Sequence, residues 1–156
     1  MSNDQELREH LLYLLRGGRA HIDFESVVKD FPVALINKKV EQIPYTAWQL
    51  IEHMRIAQWD ILEFSRNHKH SSPAWPEGYW PDNDTSADDE TWQASLNSFR
   101  SDLKELQELL TDPRTDLFAK IKHGDGQTVL REVLLVADHN AYHLGVLVTL
   151  KRMLAG

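Results

Sequence analysis

His139 and His143 stand four residues apart in the run Asp138-His139-Asn140-Ala141-Tyr142-His143. On a helix that spacing projects both imidazoles from one face about one turn apart, near enough to share one ion. His53 lies in an earlier apolar stripe made of Leu50, Met54, Ala57, Ile61 and Phe64, where a titratable ring is out of place unless something binds it. Three neutral imidazoles with a fourth position open form the donor set of a catalytic or ligand-accepting zinc site, whereas a structural site closes with a fourth protein ligand. The competing reading is three hydrogen-bonded core histidines. A bare His-x-x-x-His pair without the glutamate of the zincin motif favours that alternative. Two segments that both turn histidine toward one core bring the readings level.

Two carboxylates share faces with these rings. Asp60 is two turns from His53 and Glu132 two turns from His139, so each could orient a ligand or act as a base. The other reading of each is a solvated or helix-paired carboxylate. His10, His68, His70 and His123 read as surface residues, and His21 is kept as a neighbour of the site.

The chain contains no cysteine, which removes disulfides, thiolate ligands and cysteine nucleophiles. No glutamate has a histidine three positions later, so the Glu-x-x-His motif of di-iron bundles is missing. Gly17-Gly18 lacks the pattern of a phosphate or dinucleotide loop, and there is no Gly-x-Ser-x-Gly elbow. A net charge of -7 works against nucleic-acid binding, and the pairs Lys38-Lys39 and Lys151-Arg152 read as solvated helix-end charges.

The elements that must carry the histidines are helical. Asn3 with Glu6 reads as an N-cap pair, followed by Leu7, Leu11, Leu14 and Leu15 up to the two glycines. Asp23 caps a shorter piece with Phe24, Val27, Val28 and Phe31, stopped by Pro32. Thr46 and Gln49 form a capping box ahead of the His53 stripe. From Trp92 the positions Leu96, Phe99, Leu103, Leu106 and Leu110 alternate steps of four and three until Asp112-Pro113. Thr128 caps a last helix with Val129, Val133, Val136, Leu147, Leu150 and Leu154. The stretch from Thr115 to Lys122 fits neither periodicity.

Four long helices imply an all-α four-helix bundle, up-down with long connections and one or two short extra helices, in a single domain over residues 1–156. Between the second and third long helices, residues 68–87 gather turn formers around Trp75, Tyr79 and Trp80. These aromatics either wall a substrate pocket, fold onto the core or form a subunit interface. No uninterrupted apolar run approaches the ~20 residues that cross a bilayer, and the N-terminus lacks a secretory pattern. A cytoplasmic protein without membrane association is expected.

The segments Thr46 to His53 and Asp138 to Gly145, the second being His-x-x-x-His followed by Leu-Gly, resemble the DinB-like superfamily, which includes YfiT-type sequences. Ala20-His21-Ile22 and Pro76 to Pro81 are similar to one bacterial branch of it. The resemblance spans nearly the whole chain. It implies one divalent metal ion, zinc or nickel, held by His53, His139 and His143, and a homodimer. Many relatives carry Gln after that last glycine, where this chain has Val146, so a polar contact made there in relatives is missing. Some relatives are transferases or isomerases that use small thiols as nucleophiles. The expectation is therefore a metal-dependent transferase or hydrolase that uses activated water or a small thiol on a small molecule. The alternative is a non-catalytic stress-response or binding module whose bundle the metal stabilises.

Overall fold

A computed structural model describes residues 2–156. The described residues form five α-helices in chain order: α1 (Asn3–Arg16), α2 (Phe24–Val28), α3 (Ala47–Arg66), α4 (Asp89–Thr111) and α5 (Val129–Ala155). Among the described residues, β structure is confined to one isolated bridge between Lys120 and Thr128. The expected bundle is present, with α2 and two 3-10 turns as the short extras.

The helices start where side chains can satisfy orphan amides. The Thr46 hydroxyl accepts from Gln49 N–H at 3.2 Å while Gln49 Oε1 accepts from Thr46 N–H at 2.9 Å. Asp23, Asp88 and Thr128 cap α2, α4 and α5 through one side-chain oxygen each. At α1 the cap is one residue earlier than expected. Ser2 and Gln5 close the reciprocal box instead of Asn3 and Glu6, because Ser-x-x-Gln satisfies two amides at once. Leu14, counted in the apolar stripe, is half exposed.

Two apolar clusters fix the helix directions. One joins Trp48, Leu50 and Met54 of α3 to Trp92, Leu96 and Phe99 of α4 and to Leu147 and Leu150 of α5. The other joins Ile61 and Leu62 of α3 to Leu106 and Leu110 of α4, Val133 and Val136 of α5, and Leu11 and Leu15 of α1. The start of α3 thus meets the start of α4 and the end of α5, so α3 and α4 run parallel and α5 antiparallel to them. The bundle runs up, down, down, up, which departs from the expected up-down order at α3 and α4, and residues 67–88 must cross its full length to join these two parallel helices. The crossover is tied down at its far end, where Asn37 pairs with the backbone of Ala87 in both directions and Gln49 donates to Asn83.

Because of that crossover, α3 is buried on more than one face. Ile51, Met54, Gln58 and Leu62 face the bundle interior, and the His53, Ala57, Asp60 and Phe64 face looks into the groove shared with α5 and the crossover. Helix α5 has the length and composition of a membrane-crossing helix, yet its Val133, Val136, Leu144, Leu147 and Leu150 pack into the two clusters. Lys151, expected to be solvated, donates to the Val27 carbonyl at 2.7 Å and lies over the Phe31 ring, holding α2 against α5.

Arg8 closes the opposite end of the bundle. It is buried and donates to the carbonyls of Leu110 at 2.6 Å, Asp112 at 3.2 Å and Thr115 at 2.7 Å, while Asp4 holds its Nε at 2.7 Å. A guanidinium at the C-terminus of α4 satisfies carbonyls that have no helical partner. An Arg8→Met protein is expected to lose about 2–4 kcal/mol, since hydrogen bonds from a charged donor are each worth roughly 1.5–3 kcal/mol and these act together. Urea unfolding measures it; a loss below about 0.5 kcal/mol would contradict the assignment.

Candidate metal centre

Helices α3 and α5 pack antiparallel, which sets the second turn of α3 opposite the middle of α5. His53 Nε2 lies 3.0 Å from His139 Nε2 and 3.2 Å from His143 Nε2, and one nitrogen from each of the three rings falls within 4.8 Å of the others. The three sequence-expected histidines are therefore brought together. His53 and His143 are buried and His139 is partly so.

The crossover orients the first ring. His53 Nδ1 meets the Tyr79 carbonyl at 2.8 Å, and since a carbonyl only accepts, Nδ1 carries the proton and Nε2 keeps its lone pair in the neutral ring. Trp80 stacks flat on His53, centroids 3.9 Å apart at 2°, and its ring is backed by Tyr45 at 4.9 Å. His143 Nδ1 is buried without a partner among the described residues. The donor set fits a divalent cation. Metal–nitrogen bonds of about 2.0–2.1 Å in a tetrahedral shell set the nitrogens about 3.3 Å apart, close to the observed spacings.

Electrostatics keep the rings ready for a cation. Burial pushes His139 and His143 down to about 4, and the neighbouring imidazoles push the same way. Burial also lowers His53, against the pull of the Tyr79 carbonyl. The unfolded chain titrates these rings near 6.5, so between about pH 6.5 and 4 it binds more protons than the folded metal-free chain. Metal-free protein is therefore expected to lose stability as pH falls through that window, by at most about 1.4 kcal/mol per pH unit for each histidine. Urea midpoints at pH 7, 6 and 5 measure this; a flat profile would contradict neutral, buried rings.

Asp60 is held differently from a free base. Its buried carboxylate meets His70 Nε2 at 2.7 Å through Oδ1 and accepts from the Tyr79 hydroxyl at 2.6 Å through Oδ2. The Tyr79 hydroxyl is raised to about 12 by burial and by that carboxylate. Asp60 thus clasps the crossover, and the backbone of the same Tyr79 aims His53. His70, read from the sequence as a surface residue, has a buried side chain between Asp60 and the edge of Trp59. His10, His68 and His123 are exposed, and His21 lies near Gly17 and Phe24 in a separate small cavity. Asn140 donates to Gln58, which donates to the Phe99 carbonyl, so it ties α5 to α3 and α4; Tyr142 is exposed.

A cavity of about 390 Å³ opens beside His53 and His139. Ala57, Ile61, Phe64, Trp75 and Leu135 supply its apolar walls, with Asp60, Glu132, Arg131 and Gln127 among its polar ones. The aromatics of the crossover divide between the alternatives: Trp80 stacks on His53, Tyr79 sends its hydroxyl to Asp60 and lines the cavity, and Trp75, 75% exposed, stands at the cavity rim against Tyr79.

Compared with known protein families, residues 7–147 match the family described as the DinB superfamily. No curated protein and no solved structure matches the chain.

Proposed function

Since the chain belongs to the DinB superfamily and gathers three histidines at the α3–α5 groove, we propose that it is a metal-dependent transferase or hydrolase acting on a small molecule. The observation that carries the metal is the convergence of three Nε2 atoms from neutral rings, 3.0 and 3.2 Å from the central one. His53, His139 and His143 would hold one divalent ion, with zinc or nickel suited to imidazole. When bound, such an ion lowers the pKa of a water or thiol by several units and so supplies a nucleophile near neutral pH.

The remaining work falls to the chain itself. The Tyr79 carbonyl fixes the His53 tautomer, and Trp80 shields that ring from water. The cavity beside His53 and His139 has the size of a small-molecule site and sets apolar side chains beside polar and charged ones. With no cysteine in the chain, a thiol nucleophile must come from a small-molecule cosubstrate.

The test is a screen of thiol transfer to small electrophiles and of ester and amide hydrolysis, using tag-free protein of measured metal content with and without a chelator. Chelator-sensitive turnover that returns on adding zinc or nickel supports the reading. One equivalent of bound metal with no turnover in either assay points instead to a binding module.

A further inference from the structure

Two buried carboxylates line the cavity, and their bonding differs. Both oxygens of Asp60 are occupied, by His70 and by Tyr79. Glu132 is 3% exposed; its Oε1 accepts from Arg131 at 2.5 Å, and its Oε2 has no partner among the described residues. The Arg131 side chain is 58% exposed, so it reaches the Glu132 carboxylate from the solvent side. Gln127, also at the wall, spends its Oε1 on the Asp125 amide. That second oxygen is not sealed off like the buried Asn140 Oδ1 and His143 Nδ1, so it stays open to a donor, and the open space that Glu132 lines is this cavity.

We propose that the cavity binds a small molecule with an apolar body and one proton-donating head, a hydroxyl, thiol or ammonium, which donates to Glu132 Oε2. The body lies against Ile61, Phe64, Leu135 and Trp75, and the head sits on the side of the cavity formed by α5, where His139 follows Glu132 by two turns. In the reaction proposed above, on which this role rests, Glu132 takes the proton of the hydroxyl or thiol as it becomes a nucleophile, and returns it to solvent or leaving group. Asp60 already accepts on both oxygens from the crossover, which holds it as a clasp and leaves it the less available carboxylate.

The test is a titration of the full chain, zinc-loaded and again after chelation, with benzyl alcohol and with benzyl methyl ether, followed by two-dimensional NMR. The probes share one apolar body and differ in the donor. The wild type is expected to bind the alcohol about tenfold tighter than the ether, as a hydrogen bond to a charged acceptor implies. Glu132→Gln should bind the two alike, because its one oxygen stays with Arg131. Leu135→Trp, placed on a partly exposed wall, should bind neither. An alcohol no tighter than the ether, a preference that survives in Glu132→Gln, or unchanged binding in Leu135→Trp overturns the proposal. If Glu132→Gln does not fold, the wild-type preference and the Leu135→Trp titration still decide. Metal content is read on the same samples, so a failure here beside normal zinc uptake counts against the Glu132 site and leaves the metal reading standing.

Discussion

Replacing His139 by alanine is expected to weaken zinc binding by about a thousandfold or more and to end one-to-one metal content after dialysis. A complete zinc site is worth roughly 10–16 kcal/mol in metal-coupled domains, so one of three protein ligands accounts for several kcal/mol, and about 1.4 kcal/mol is a factor of ten. The fold should survive. His139 is only partly buried, and its ring is held near 4, so below about pH 6 its removal also lifts a penalty that the metal-free protein carries. His139→Ala at pH 5 should thus melt no lower than metal-free wild type. Competition with a chromophoric chelator gives the affinity; wild-type affinity in this variant would remove His139 from the site.

The second large effect is at Asp60. An Asp60→Ala protein leaves His70 Nε2 and the Tyr79 hydroxyl without their acceptor in a buried position, a loss of about 3–5 kcal/mol by analogy with other broken buried pairs. It also frees the crossover from α3, and with it the carbonyl that aims His53 and the Trp80 ring that covers it. Losing the partner that orients a ligand typically costs 10–100-fold in metal affinity. Asp60→Asn, which keeps one acceptor oxygen, should fall between. Urea unfolding and zinc competition on the same samples separate the effects. A destabilised Asp60→Ala protein with unchanged zinc affinity would mean that the clasp holds the crossover without positioning the ring.

These contacts show where the sequence was legible. The Thr46–Gln49 box, the four-three alternation after Trp92 and the Thr128 cap are local signals, and each helix they announce is present. The i, i+4 pair and the inward His53 were legible for the same reason, and antiparallel packing of α3 on α5 did the rest. The Asp60 clasp was not. Its partners come from a loop without periodicity, so nothing in the run around His70 distinguished a buried imidazole from a surface one. Arg8 was equally opaque, because its carbonyl partners lie 102 to 107 residues away. The difference between Asp60 and Glu132 depends on which oxygens neighbours already occupy, and only three-dimensional contacts reveal that.

The most direct test of the central claim is X-ray absorption spectroscopy of the zinc-loaded, tag-free protein at one equivalent of metal. The structure predicts three imidazole nitrogens at about 2.0–2.1 Å with the outer-shell scattering of histidine rings, and a signal that loses one ring in His143→Ala. A spectrum showing fewer than three imidazoles, or one unchanged in His143→Ala, would contradict the site.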